Sequence, residues 1–162
     1  MENQISKLIT NESDRRIIFI KEIDLIQDII KRMASNSFLI KGWTVTLVTA
    51  TLLIKGDDIH VLLAILPTLV FWLLDSYFLW QERLYRWLYG WVIKNRAISD
   101  ELIFDLKAES RAKAERRADP KKHKNLKYWK VVFSQTIWPF YGIILVLIGI
   151  YFLIINISTC GT

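Results

Sequence analysis

Cysteine and histidine are scarce in this chain, and each shortage excludes a class of protein. Cys160 is the only cysteine among 162 residues, so no disulfide can form within the chain. His60 and His123 stand far apart, with no further cysteine or histidine at ligand spacing, which argues against a zinc site. The sequence also has no glycine-rich phosphate loop and no nucleophile elbow. We therefore expect neither an enzyme nor a cofactor.

Long apolar stretches are what the chain has instead. Apolar residues make up 52% of it, and three stretches approach the roughly 20 residues that cross a bilayer. They are 38–54, which contains Lys41, 59–80, which contains Pro67 and Asp75, and 137–157. Lys41 lies just inside the first stretch, from where its ammonium can reach the headgroups. The pattern predicts an all-α membrane protein with three transmembrane helices.

The basic residues predict how these helices are oriented. Of 22 lysines and arginines, Lys55 is the one between the first two stretches, and none follows the third. Basic residues concentrate on the cytoplasmic side of bacterial membrane proteins. We therefore expect a membrane protein with a cytoplasmic N-terminus and an external C-terminus.

The apolar stretches and the charged residues divide the chain into four predicted segments. Residues 1–36 form a cytoplasmic segment with an amphipathic helix that begins near Arg15. Residues 37–96 form a helical hairpin whose second helix extends past the membrane into the cytoplasm. Residues 97–130 form a basic cytoplasmic segment, and residues 131–162 form the third span and an external tail. A break or bend is predicted at 34–37, before the first span.

The N-terminal amphipathic helix carries an apolar stripe with alternating spacings of four and three residues. Its members are Phe19, Ile23, Ile26, Ile30 and Met33. Two heptads are too few to establish a coiled coil. The stripe either packs on the protein's own cytoplasmic helices, or lies in the membrane interface, or joins copies of the chain in an oligomer. Gly142 and Gly149, seven residues apart, offer a second oligomer contact because they allow helices to approach closely.

Asp75 is the most informative single residue, because a carboxylate within hydrocarbon costs about 2.5–3.5 kcal/mol on insertion scales. In one interpretation it pairs with a basic or hydroxyl side chain of a neighbouring helix and fixes packing. In the other, copies from several subunits form an acidic ring that lines a cation pathway. Glu82 lies about 10 Å further along the helix, too far for a catalytic pair. The candidates for pore or packing are Asp75, Ser76, Thr44, Thr51 and Glu82.

A basic stretch precedes the third span. Residues 107–127 contain nine basic and three acidic residues, a net charge of +6. The stretch either serves topology and touches anionic lipid, or binds a polyanion such as an oligonucleotide. The candidate anion-binding residues are Arg111, Lys113, Arg116, Arg117, Lys121, Lys122 and Lys124. Alanine and mixed charge predict a helix here, which Asp119-Pro120 ends.

Two segments carry a resemblance. They are 32–43, which reads RMASNSFLIKGW, and 71–89, which includes Leu74-Asp75 and Gln81-Glu82-Arg83. Together they resemble small bacterial membrane effectors of phage-defence operons, and most of all the HalB-type effectors of the Hailong system. The resemblance covers residues 15 to 95.

The resemblance implies a function and partners. In such a system a nucleotidyltransferase makes deoxyadenosine oligomers, which open the membrane effector as an oligomeric ion channel; a tetramer follows from the resemblance alone. The basic segment would then receive an oligodeoxyadenylate ligand, and the channel would depolarise the inner membrane during infection. The alternative is a non-conducting anchor that holds a soluble partner enzyme at the membrane.

Overall fold

The structure is a computed structural model that describes residues 12–54, 58–95, 104–118 and 127–160. Helices account for 91% of these residues, and none of them lies in a strand. The all-α prediction is therefore confirmed. The five helices are α1 (Glu12–Leu53), α2 (Asp58–Asn95), α3 (Ala108–Ala118), α4 (Tyr128–Val132) and α5 (Trp138–Cys160).

Helix α1 is continuous for 42 residues, so the break predicted at 34–37 is wrong. The segment reads Ala-Ser-Asn-Ser, without glycine or proline. Serine and asparagine cost only tenths of a kcal/mol each in a helix interior. Tertiary packing on both sides of the segment is enough to outweigh a penalty of that size.

Helix α2 confirms the prediction of a long second helix. It runs without interruption for 38 residues, with Pro67 inside it, and ends only at Asn95. Helix α3 confirms the helix predicted in the basic stretch and ends at Ala118, next to Asp119-Pro120.

The chain divides into two compact units. Unit 1 combines Met1–Ala34 with Gln81–Leu126, and unit 2 combines Ser35–Trp80 with Lys127–Thr162. The division therefore falls within α1 and within α2. The predicted hairpin 37–96 is accordingly shared between the two units rather than forming one of its own.

In unit 1, the apolar stripe of α1 faces inward. Ile26 is completely buried, and the other members of the stripe, Phe19, Ile23, Ile30 and Met33, are partly buried. Part of the stripe therefore packs against this chain, and its predicted role in an oligomer contact stays a prediction. Leu84, Leu88 and Val92 of α2 are also buried in this unit.

Within the described parts of the chain, two helices are long and apolar enough to cross a membrane. The two spans are Leu63–Asn95 and Trp138–Ile157. Of their most apolar parts, only 22% in the first span and 17% in the second is buried inside the protein. A core helix of a soluble protein would be mostly buried, so these values favour membrane helices. The third predicted stretch, 38–54, is not one of these two spans.

Unit 2 buries several polar residues and exposes many large apolar ones. Ser37, Thr44, Thr68, Asp75 and Ser76 are buried. Large apolar side chains are exposed on all three of its long helices, including Phe38, Trp43, Leu53, Leu66, Leu73, Ile143 and Leu153. This polarity suits a hydrocarbon surrounding better than water. A small apolar cluster of Val48, Ala64, Ile144 and Ile148 joins the same helices.

Candidate functional site: the Asp75 cluster

Asp75 lies on α2 with its side chain completely buried, and it has three side-chain partners. The Lys41 Nζ of α1 lies 2.6 Å from its Oδ2, and the Ser37 hydroxyl donates a hydrogen bond to its Oδ1. The Tyr141 hydroxyl of α5 lies 3.3 Å from Oδ2. We call these four residues the Asp75 cluster. It joins all three long helices of unit 2.

The contribution of α1 depends on helical periodicity. Ser37 and Lys41 are four residues apart, and the Lys41 ammonium also donates to the Ser37 hydroxyl at 2.9 Å. Residues at this spacing share one helix face. Thr44 continues the face, is fully buried and donates to the Ile40 carbonyl at 2.8 Å. The continuity of α1 through residues 34–37 is therefore what brings Ser37 and Lys41 to Asp75.

The contribution of α5 comes from Tyr141. Its hydroxyl also lies 3.2 Å from the Phe71 carbonyl, so its proton is shared between two acceptors on α2. Its ring is stacked on Trp72, with centroids 5.8 Å apart and planes 4° from parallel. The Trp72 indole donates to the Val132 carbonyl at 3.1 Å, which ties α4 to the same place.

The electrostatics of the cluster follow from its burial. An unpaired carboxylate away from water carries a large desolvation penalty, so it needs a counter-charge and satisfied lone pairs. Lys41 supplies the charge, and the two hydroxyls supply hydrogen bonds. Removal of the charged partner from a buried ion pair typically costs about 3–5 kcal/mol, and removal of a hydrogen-bond donor costs less. The cluster is therefore strongly coupled, and one altered side chain affects all three helices.

The remaining pore or packing candidates are bonded within their own helices. The Ser76 hydroxyl donates to the Trp72 carbonyl at 2.7 Å, and that of Thr51 donates to the Leu47 carbonyl at 2.8 Å. Glu82 belongs to unit 1 and pairs with Arg86 one turn later, at 2.7 Å. These contacts place no second carboxylate beside Asp75 among the described residues.

Among the anion-binding candidates, Arg111 has a structural position. Its guanidinium pairs with Asp105 at 3.2 Å and lies 4.6 Å from the centre of the Trp91 ring. Its side chain is only 11% exposed, which leaves little of it for a ligand. A second internal acid, Glu22, is buried nearby in unit 1 and accepts the Phe104 backbone N–H at 3.2 Å.

The other basic candidates are more open or fall outside the described part of the chain. Lys113 pairs with Glu109 at 2.6 Å on the exposed surface of α3, and Arg117 is exposed. Arg116 lies on α3, but its side chain is outside the described set. Lys121, Lys122 and Lys124 also lie outside the described residues.

Gly142 and Gly149 of α5 have open space around them. A Cβ added at either position would meet no atom within 4 Å. No described helix of this chain therefore uses the glycines for close packing. Their predicted role in an oligomer stays a prediction.

Sequence reasoning found Asp75 but missed its partners. Lys41 was expected at the headgroups, and Ser37 in a bend, whereas both contact Asp75. Tyr141 was not singled out, since a tyrosine at the start of an apolar helix is typical of the membrane interface. The spacing of Ser37, Lys41 and Thr44 was the available signal, but a break at 34–37 hid it.

The chain matches no protein-family model, no curated protein and no solved structure. Any functional assignment therefore depends on the residues themselves. The Asp75 cluster contains residues of both segments that carry the resemblance: Ser37 and Lys41 lie in 32–43, and Asp75 lies in 71–89.

Proposed function

We propose that this protein is an oligomeric membrane effector of bacterial antiphage defence, an ion channel that a nucleotide or oligonucleotide signal opens. It would sit in the inner membrane with three spans, a cytoplasmic N-terminus and an external C-terminus. The observation that carries the proposal is a charged cluster buried among helices whose outer faces are apolar.

The exposed side chains of α1 support a third span. Phe38, Leu39, Trp43 and Leu53 are all more than half exposed, while Ser37 and Thr44 on other positions of the helix are buried. An exposed face of large apolar side chains suits the bilayer interior. These side chains support a membrane location for 38–54.

The Asp75 cluster supports a conducting function. Ionisable residues within membrane segments face a bundle interior or a water-filled path, and they mark ion pathways more often than chance. Three helices are too few to enclose a pore, so the path requires several copies of the chain. The resemblance to HalB-type effectors supports the same arrangement, with oligodeoxyadenylate as the signal and a nucleotidyltransferase as its source.

One observation favours the alternative, a non-conducting anchor for a soluble partner enzyme. Lys41, Ser37 and Tyr141 of two neighbouring helices bond Asp75, as its packing interpretation requires. An acid that is fully paired in this way needs no pore to account for it. The two functions therefore have to be separated by conduction.

The decisive experiment is electrical. Purified protein in planar bilayers should conduct in the presence of short deoxyadenosine oligomers and stay silent without them, and Asp75→Asn should alter cation selectivity. If no current appears across a panel of oligonucleotides and a soluble protein co-purifies, the anchor is the better account. Unchanged selectivity with impaired folding in Asp75→Asn would assign the acid to packing.

The signal site is tested by charge reversal. Replacing Arg116, Arg117, Lys121 and Lys122 by glutamate should abolish the response to oligonucleotide while assembly persists. The matched control reverses Lys31 and Arg32, which are exposed basic residues of α1. A response that survives the first set and not the second would move the site away from the basic stretch. Arg111 is unsuitable for this test because its loss would disturb unit 1.

A further inference from the structure

The Lys41 ammonium occupies a position that a free cation would also accept. Two oxygens of different residues hold it, the Asp75 Oδ2 at 2.6 Å and the Ser37 Oγ at 2.9 Å. Carboxylate and hydroxyl oxygens at such distances also replace the hydration shell of monovalent metal ions. The ammonium group is itself a compact unit charge on a flexible stem.

The two members of the ion pair differ in how they are held. The Asp75 side chain is completely buried, whereas that of Lys41 is 24% exposed. Lysine can therefore withdraw by rotation of its four-carbon stem, which keeps its ammonium in a polar surrounding. Asp75 has no such freedom, because Ser37 and Tyr141 bond it from two other helices.

Withdrawal of Lys41 would leave a negative charge and a hydroxyl oxygen facing the vacated position. A lone buried carboxylate is too costly to persist, so it must take up a proton or another cation. We propose that Asp75 and Ser37 form a monovalent-cation site, for potassium or sodium, which Lys41 fills as a tethered occupant in this conformation. The site then becomes available to a free ion when Lys41 leaves.

This inference deepens the proposed function and rests on it for its consequence, since a vacated site would be a step in a cation pathway. Binding itself does not require conduction. The test therefore measures binding in detergent, where the outcome is independent of any current.

The experiment compares Lys41→Met with the wild type by thermal unfolding in potassium, sodium or N-methylglucamine chloride at equal concentration. A ligand that binds only the folded state raises Tm, and above its Kd the rise grows with the logarithm of the ligand concentration. We expect Lys41→Met to gain such a rise in Tm with potassium or sodium that the wild type lacks. A large organic cation should give no rise.

Two further variants serve as controls. Lys41→Met combined with Asp75→Asn should lose the cation-dependent rise, because the carboxylate is gone. Lys130→Met removes an exposed lysine of α4 and should behave as the wild type.

Equal Tm of Lys41→Met in all three salts would overturn the proposal, as would failure of this variant to fold in any of them. Cation binding without oligonucleotide-gated current would leave the site standing and remove the channel. Oligonucleotide-gated current without a cation-dependent rise in Tm would leave the channel standing and remove the cation site.

Discussion

Tyr141 tests how far the buried Asp75 depends on its neighbours, because its hydroxyl is shared between Asp75 and the Phe71 carbonyl. We expect Tyr141→Phe to lower the free energy of unfolding by about 1–3 kcal/mol, the range for a hydrogen bond to a charged group. The ring stacked on Trp72 is retained, so the change isolates the hydroxyl. Thermal or denaturant unfolding in detergent measures it.

The control for this prediction is Tyr151→Phe, which removes a hydroxyl bonded at 2.8 Å to the Leu52 backbone carbonyl, a neutral acceptor. A double-mutant cycle with Asp75→Asn separates the two tyrosines. The cost of Tyr141→Phe should shrink in the Asp75→Asn background, while that of Tyr151→Phe should not change. Equal additivity at both positions would show that Tyr141 does not act through Asp75.

In unit 1, the corresponding prediction on stability concerns Arg111. Its replacement by glutamine removes the ion pair with Asp105 and the contact with the Trp91 ring. Because both groups are partly buried, we expect a loss of about 2 kcal/mol of stability, below the value for a fully buried pair. Arg117→Gln, at an exposed position of the same helix, should leave the unfolding midpoint unchanged. A comparable loss at both positions would contradict the structural role of Arg111.

At the scale of the element, the continuity of α1 through residues 34–37 has a direct test. Asn36→Pro should cost about 3 kcal/mol or more, because proline removes a hydrogen bond and clashes with the preceding turn. Asn36→Ala should be tolerated or slightly stabilising, since alanine is the better helix former. Helical content by circular dichroism and the unfolding midpoint report both variants. If proline is harmless here, the helix is interrupted at this point.

The elements show where sequence reasoning works and where it stops. The patterns of apolar and charged residues predicted the long helices α2 and α5 and the helix α3, because each pattern is local. The break predicted at Ala34-Ser35-Asn36-Ser37 was wrong. The weak local preference of these residues against helix is outweighed by the packing of the two neighbouring segments. This error also hid two partners of Asp75, because a break at 34–37 would separate Ser37 from the helix face of Lys41.

The whole molecule offers a test of topology through its single cysteine. Cys160 is the last residue of α5. With three spans the chain ends on the opposite side of the membrane from its start, and with two spans both ends share a side. In intact spheroplasts, an impermeant maleimide should label Cys160. A cysteine placed at Ser6 in a Cys160→Ser background should react only after lysis. Labelling of both positions from outside, or of neither, would contradict three spans.

The sequence by itself determined the all-α class, the long helices α2 and α5 and the presence of a costly buried acid, because composition and periodicity act locally along the chain. It also placed the basic stretch and the apolar runs that suit a membrane. Only the tertiary structure decided the partners of Asp75: Ser37 and Lys41 come from one helix and Tyr141 from another, 38, 34 and 66 residues away. Such distant pairings depend on how helices pack, and no local pattern along the chain records which faces will meet.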